Sequence, residues 1–354
     1  MIVDLIVFIV ILAFLILAHE YGHFSTARMC KMYVEEFAIG FPPKIFSKKR
    51  NGTNFSVGAI PIGGYVKIPG ENGKEVLEEE IRLNPAKQIA QIPEEQYFYS
   101  KPAWQRIFVL MAGVFMNFII GWIFLTAVFM AGIPQQAYVG TIAPDSPAAQ
   151  AGLEAGDALM GYETAEAFIQ STDEHIGQNF TFSIQRGEEI KEITLVPREA
   201  PPQGEGPVGI QIQGAGIERQ SFFSAIGKGL ELSWEIFSMI FILIARLIAS
   251  VVSGEDLFSR LAGPIGIFQV TSQAADLGLV YLGHLIALIS LNLAALNIFP
   301  FPALDGGRIL LVLIEKIKGS PVRAKTQLWF NGIGFAILIL FIIAVSIQDI
   351  SRIF

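Results

Sequence analysis

The sequence predicts a polytopic α-helical membrane protein with four transmembrane helices, a membrane-associated β-hairpin or loop, and an inserted α+β domain. Of its 354 residues, 52% are hydrophobic and only 16% are charged, whereas soluble proteins carry about 25% charged residues. The mean hydropathy is +0.52. The apolar residues are gathered in stretches that approach the ~20 residues needed to cross a bilayer. These features argue against a water-soluble enzyme and against a disordered protein.

Charge and cysteine content narrow the possible functions further. The formal net charge is −7 and the sequence pI is about 5.3, which argues against a nucleic-acid partner. Cys30 is the single cysteine, so an internal disulfide framework and an all-thiolate metal site are both excluded. The expected surroundings of the protein are therefore a lipid bilayer and other proteins.

The apolar stretches define the predicted order of segments. They are a first transmembrane helix (1–27), a cytoplasmic-side loop (28–106) with a β-hairpin region (52–68), a second transmembrane helix (107–132), an α+β domain (136–200), a linker with a membrane-surface helix (201–276), a third transmembrane helix (277–307), a cytoplasmic loop (308–325) and a fourth transmembrane helix (326–348). The first stretch has no basic region before it, so we interpret it as a retained helix and not as a secretion signal. The acidic segment 71–95 is interpreted only as a solvated cytosolic insertion.

The charges of the loops predict the orientation. Residues 28–106 and 308–325 are rich in Lys and Arg, whereas residues 133–276 contain more acidic than basic residues. By the positive-inside rule, the two basic loops face the cytoplasm and the acidic segment lies outside. Both termini are then expected outside.

His19, Glu20 and His23 form an H-E-x-x-H pattern at the end of the first apolar stretch. Residues i and i+4 lie on one face of a helix, so both imidazoles can bind one tetrahedral zinc ion. Glu20 lies beside them, where it can accept a proton from water at the metal. Such short patterns also occur by chance, but ionisable side chains within an apolar span are rare and usually functional.

A zinc site needs a third protein ligand, and Asp305 is the best candidate. Of the other histidines, His175 falls in the outer domain and His284 lies near the outer end of the third span. Asp305 follows Pro300 and Pro302, which break the helix, and irregular backbone at membrane depth is tolerated where it lines a watery cavity. An aspartate that only caps a turn is the alternative interpretation.

The depth of these ligands constrains the topology. His23 and Asp305 can share one ion only if the first and third spans run in the same direction across the membrane. The chain between them must then cross an even number of times after the second span, most simply zero. Residues 234–252, an apolar stretch interrupted by Glu235 and Arg246, are therefore predicted to lie on or dip into the outer leaflet.

The segment 136–200 resembles a PDZ domain, most clearly in the stretch 146–157. A short helix over 147–152 and strands over 180–185 and 190–196 are expected, and 201–207 is interpreted as a linker. PDZ domains bind peptides by strand addition, and Tyr138–Thr141 is the expected binding-loop region. A spacer without a ligand is the alternative interpretation.

Two motifs together carry a resemblance to a known family. The H-E-x-x-H pattern and the later N-x-x-P-x-P-x-L-D-G-G pattern, which ends with Asp305 and two glycines, resemble the site-2 proteases, specifically the bacterial regulator-of-sigma-E-protease type. The stretches 40–44, 61–67, 101–106 and 263–266 are similar to further family elements. Val114 and Arg308 depart from the family pattern, in which proline and histidine are common there. The resemblance implies a zinc intramembrane endopeptidase of the bacterial inner membrane.

The resemblance also implies the substrates, which are single-span membrane proteins such as anti-sigma factors or remnant signal peptides. It further implies trimming of these substrates by another protease, with the segment 136–200 as a filter that admits only trimmed substrates. A transmembrane helix must unwind before it is cleaved, and the hairpin edge near Gly63 and Gly64 is expected to pair with the unwound backbone. Asn297 and Pro300 are also expected to contact substrate. For Asn297, satisfying carbonyls freed by Pro300 is an equally good interpretation.

Two other functions stay open at this point. One is a membrane zincin that acts on lipidated protein tails, although that class needs a glutamate-containing ligand motif downstream. The other is a catalytically silent membrane scaffold that carries a PDZ-like domain. The L-D-G-G and PDZ-like segments argue against the zincin, and the presence of His19, Glu20, His23 and Asp305 together argues against a silent scaffold.

Overall fold

The computed structural model describes residues 2–83, 91–187, 189–202, 204–253 and 261–353. The chain divides into two compact units. The membrane unit comprises Met1–Ala127 and Ile226–Phe354, and the sheet unit comprises Val128–Ala225.

The described residues form helices and strands with the following bounds. The helices are α1 (Ile2–Met29), α2 (Lys74–Leu83), α3 (Ala103–Ala131), α4 (Pro147–Gln150), α5 (Ala165–Asp173), α6 (Phe222–Ser253), α7 (Pro264–Leu277), α8 (Leu279–Ile298), α9 (Asp305–Lys318) and α10 (Ala324–Ile353). The strands are β1 (Glu36–Arg50), β2 (Thr53–Lys67), β3 (Ile133–Ile142), β4 (Ala158–Leu159), β5 (Phe180–Arg186), β6 (Glu189–Leu195) and β7 (Ile210–Ile217).

Five helices in the described part of the chain are long and apolar enough to cross a membrane, namely α1, α3, α6, α8 and α10. The prediction of a polytopic α-helical membrane protein is therefore confirmed. Helix α6 qualifies over Phe222–Ser250, where the sequence predicts a surface helix over 234–252. By length and composition, α6 is thus a fifth candidate span.

The third apolar helix ends earlier than the predicted boundary at residue 307. Helix α8 ends at Ile298, and its C-cap residue Phe299 is extended (φ −60°, ψ 135°). Pro300 and Pro302 follow and cannot donate backbone hydrogen bonds. The chain then re-enters a helix at Asp305, and α9 occupies most of the segment 308–325 that the sequence predicts as a loop.

β1 and β2 form a hairpin that is longer than the predicted region 52–68. Ala38 of β1 pairs with Tyr65 on one side and with Ser56 on the other. The last part of β2, residues 64–67, therefore lies outermost in this sheet, and we call it the edge segment. Its outer side pairs with no strand of the described chain.

The acidic segment 71–95 is more ordered than a solvated insertion over its described part. It contains α2, and Leu77 packs with Tyr97 in a small buried cluster. Ion pairs join Lys67 to Glu80 (2.7 Å) and Lys74 to Glu94 (3.1 Å). Residues 84–90 lie outside the described residues.

The sheet unit contains a five-stranded antiparallel sheet in the order β6-β5-β4-β3-β7. The Ser146 side chain caps α4 by accepting a hydrogen bond from the Ala149 N–H (3.1 Å), and Pro147 occupies its first turn. The core consists of buried apolar side chains from the strands, from α4 and α5 and from the connecting loops: Ala137, Val139, Ala148, Leu153, Leu159, Phe168, Phe180, Phe182, Ile184, Ile193, Leu195 and Val208.

The sheet unit differs from the expected domain in two respects. First, the domain extends beyond residue 200, because β7 pairs with β3 and belongs to the sheet. β7 lies in the segment 201–276, which the sequence predicts as a linker and a surface helix. Tyr138–Thr141 lies within β3, whose neighbours are β4 and β7. β4 and β7 pair with Tyr138 on both of its sides, so this residue has no free edge, and the outermost strands of the sheet are β6 and β7.

Candidate metal centre and active site

Helix α1 presents both histidines of the H-E-x-x-H pattern on one face. The Nε2 atoms of His19 and His23 lie 3.1 Å apart. α3 packs closely at this point, because a Cβ atom built on Gly113 would lie 2.3 Å from His23 Nε2. Only glycine lets the α3 backbone approach the histidines this closely.

Helix α9 brings Asp305 to the same place. Its Oδ2 atom lies 3.1 Å from His19 Nε2 and 3.3 Å from His23 Nε2. The turn that carries it is tight, because a Cβ atom on Gly306 would lie 2.1 Å from the Ile298 carbonyl oxygen. The proline break and the following glycine thus place the carboxylate at the start of a new helix.

The three side chains form a group that can hold one metal ion. Tetrahedral zinc with bonds of about 2.0–2.1 Å separates its nitrogen and oxygen ligands by about 3.3 Å, and the three distances here are 3.1, 3.1 and 3.3 Å. Asp305 Oδ2 is buried and has no hydrogen-bond partner. A nitrogen- and oxygen-binding cation at this point would satisfy it, so the donor set fits zinc.

Groups behind the histidines orient their rings. His23 Nδ1 lies 2.8 Å from the Val109 carbonyl oxygen and donates to it, which leaves Nε2 free for a metal. His19 Nδ1 lies 3.4 Å from the Asn117 amide, whose Oδ1 atom is buried without a partner. The oxygen and nitrogen of an amide are assigned from such contacts, so the flipped amide gives His19 an acceptor. The Asn117 backbone carbonyl accepts from Ser290 Oγ (2.7 Å).

Glu20, Asn297 and the predicted glycines face the same cavity as the three ligands. This cavity has a volume of about 330 Å³, and its lining includes Glu20, Gly63, Gly64 and Asn297. A Cβ atom on Gly64 would lie 3.0 Å from Glu20 Cγ, so the edge segment passes directly beside the glutamate. The structure thus brings the edge segment, the glutamate and the candidate metal ligands together.

Pro300 is the predicted contact residue that does not belong to this lining. It terminates α8 and so positions Asp305 indirectly. His175 belongs to the sheet unit, where its Nδ1 donates to the Ser171 carbonyl oxygen (2.7 Å). His284 lies on α8 outside the lining of the cavity.

Among the lining residues that the sequence does not predict as site residues, three carry a charged or amide side chain, namely Asn117, Glu71 and Arg308. Only Asn117 gives a signal of burial in the sequence, because it is an amide side chain within an uncharged apolar stretch. Glu71 lies among many acidic residues and does not stand out in the sequence. Arg308 stands out only as a departure from the family pattern, which does not indicate a role in the site.

Comparisons with known proteins show which family the chain resembles. The profile of peptidase family M50 matches residues 7–341. The zinc metalloprotease RasP of Oceanobacillus iheyensis is 30% identical, with 99% of each chain covered. The regulator of sigma-W protease RasP of Bacillus subtilis is 27% identical, over 99% of this chain and 98% of the relative. A putative zinc metalloprotease of Clostridium perfringens is 32% identical, over 95% of each chain.

Proposed function

Because this chain belongs to peptidase family M50 and is a zinc metalloprotease, we propose that it cleaves single-span membrane proteins within their transmembrane segments. The observation that carries the proposal is the single cavity shared by the candidate metal ligands, Glu20 and the edge segment. A substrate backbone that enters this cavity meets a metal site, a proton acceptor and an unpaired strand edge together.

The residues have distinct roles in this proposal. His19, His23 and Asp305 would hold the zinc ion through the three atoms that lie 3.1 to 3.3 Å apart. Bound zinc supplies Lewis acidity, which acidifies water and polarises a carbonyl group. Glu20 accepts the proton of the attacking water and returns it to the leaving amine nitrogen.

Substrate binding relies on strand addition at the edge segment. A transmembrane helix that unwinds loses backbone hydrogen bonds, each costly in an apolar environment. The outer side of residues 64–67 offers replacement backbone partners. Asn297 lines the same cavity, and its amide can hydrogen-bond the substrate backbone.

The name of the Bacillus subtilis relative, regulator of sigma-W protease, suggests the substrate class. We propose that this chain acts on anti-sigma factors or on remnant signal peptides, after another protease has trimmed them outside. The sheet unit would serve as a PDZ-like domain that binds a peptide tail or excludes untrimmed substrates. Its edge strands, β6 and β7, are the places for strand addition.

The proposed topology has four transmembrane helices in the bacterial inner membrane. The basic loops lie in the cytoplasm with the active site near that side, and the sheet unit lies outside. Helix α6 contacts the outward half of α3, where Trp122 Nε1 donates to the Ile226 carbonyl oxygen (3.0 Å) and Phe118 packs on Trp234. In the proposed topology, α6 does not cross the membrane, and its C-terminal end stays on the outer side.

Mapping the cleaved bond tests this function. The full-length protein is reconstituted with a trimmed single-span substrate, and the products are identified by mass spectrometry. We expect a cut within the apolar segment of the substrate. Cuts confined to soluble flanks, or only in a lipidated tail, would contradict intramembrane cleavage.

A further inference from the structure

We propose that Glu71 and Arg308 form a positioning pair that holds the edge segment at a fixed place relative to Asp305. The inference rests on the proposed function, because it assumes that substrate pairs with the edge segment. Arg308 Nη1 forms an ion pair with Glu71 Oε1. The pair links two parts of the site that are far apart in the sequence.

One end of the pair is joined rigidly to the candidate metal ligand. Arg308 lies one turn after Asp305 on α9, and its N–H donates to the Leu304 carbonyl oxygen (3.2 Å). Gly307, between them, is packed tightly, because a Cβ atom there would lie 2.2 Å from the Phe301 carbonyl oxygen. A displacement of Arg308 therefore displaces Asp305.

The other end is joined rigidly to the edge segment. Glu71 follows Lys67, the last residue of β2, after a tight turn in which the Glu71 N–H donates to the Ile68 carbonyl oxygen (3.2 Å). Ile68 is buried. A Cβ atom on Gly70 would lie 2.6 Å from a Tyr99 ring carbon. The turn is thus packed on both sides and transmits the position of Glu71 to the edge segment.

The location of the pair distinguishes it from a surface ion pair. Glu71 and Arg308 line both the 330 Å³ cavity and a neighbouring cavity of about 430 Å³. The Glu71 side chain is 16% exposed and the Arg308 side chain 37%, so the carboxylate is the more shielded partner of a partly buried pair. Ion pairs with good geometry and limited solvent contact hold their geometry better than exposed ion pairs, which contribute little to the stability of the fold.

Positioning matters because attack requires close alignment. The reacting atoms must lie about 3–3.5 Å apart, and a misplacement of about 1 Å can cost about 100-fold in rate. A substrate held on the edge segment is aligned with the metal site only while these two parts keep their separation. Loss of the pair should therefore lower kcat while substrate still binds.

A double-mutant cycle with neutral isosteres tests the pair. Glu71→Gln, Arg308→Gln and the double variant are reconstituted with a single-span substrate, and kcat, KM and zinc content are measured. We expect kcat to fall about tenfold or more in each variant, with KM and zinc content retained and the double variant no worse than either single one. The charge-swapped double variant, Glu71→Arg with Arg308→Glu, should recover part of kcat.

A second buried ion pair provides the matched control. Arg106 Nη1 lies 2.6 Å from Glu315 Oε2 and joins α3 to α9 without contacting the edge segment. Replacing both by Gln should lower the thermal stability but leave kcat per zinc-loaded molecule unchanged. Loss of kcat in Arg308→Gln alone, unchanged kcat in both single variants, or an altered KM with unchanged kcat would each overturn the positioning role.

Cross-linking separates this inference from the proposed function. Val66→Cys is placed on the edge segment in a Cys30→Ala background, and a substrate cysteine is tested for disulfide formation. We expect the cross-link to form both when Glu71 and Arg308 are intact and in Glu71→Gln. The reason is that this ion pair positions the edge segment and does not bind substrate. Absence of the cross-link with the wild-type pair would contradict strand addition itself, whereas a cross-link accompanied by normal kcat in Glu71→Gln would contradict only the positioning role.

Discussion

At the scale of single residues, three side chains from two distant parts of the chain meet at distances that suit one metal ion. The sequence predicts this set because His19, His23 and Asp305 are ionisable groups at the ends of apolar stretches, where lipid excludes charge. It does not predict Asn117 as a partner of His19, because only the packing of α3 on α1 shows which side the amide faces.

Replacing Asp305 tests the ligand set directly. In Asp305→Ala the metal loses one of its three protein ligands, so we expect the zinc content of the purified protein to fall well below one ion per chain. Elemental analysis measures it. The matched control is His284→Ala, which removes a histidine that does not line the cavity and should keep full zinc. An undiminished zinc content in Asp305→Ala would show that another residue is the third ligand.

At the scale of secondary-structure elements, the break between α8 and α9 and the pairing of β1 with β2 build the site. The proline residues predict the break, but not that the chain resumes as a helix at Asp305. The sequence also predicts a hairpin near Gly64, but it does not show that Ala38 pairs with a strand on each of its two sides. Strand register between distant segments depends on tertiary packing, which local patterns do not encode.

The close contact between α3 and α1 leads to a prediction about Gly113. Alanine favours helices over glycine by about 1 kcal/mol, yet Gly113→Ala should lower zinc affinity and activity because the added Cβ atom would meet His23. Gly332→Ala is the control, since a Cβ atom there has no neighbour within 4 Å, and it should be neutral or slightly stabilising. Chelator competition and thermal unfolding measure the two effects. Full zinc affinity in Gly113→Ala would contradict the close approach.

At the scale of the whole molecule, composition predicts the polytopic membrane protein, and loop charge predicts its orientation. The total number of crossings depends on α6, whose length and composition suit a span. The shared depth of His23 and Asp305, however, requires the chain between α3 and α8 to cross the membrane an even number of times. The predicted boundary of the inserted domain near residue 200 is too early, because β7 pairs with β3, which lies about 70 residues before it in the sequence.

Accessibility of single cysteines tests the topology. In a Cys30→Ala background, Ala262→Cys after α6 should react with an impermeant maleimide added from outside intact cells. Ser320→Cys, between α9 and α10, should react only after the cells are opened. Labelling of Ala262→Cys only from the cytoplasmic side would place α6 across the membrane and contradict the four-helix topology.

The central claim is that Glu20 moves the proton at a zinc site formed by His19, His23 and Asp305. The most direct measurement compares cleavage of a single-span substrate by the wild-type protein and by Glu20→Gln, with zinc quantified in both. The claim predicts equal zinc and no cleavage by the variant, because the amide cannot accept the proton while the ligands are unchanged. Equal cleavage by both proteins at equal zinc content would contradict it.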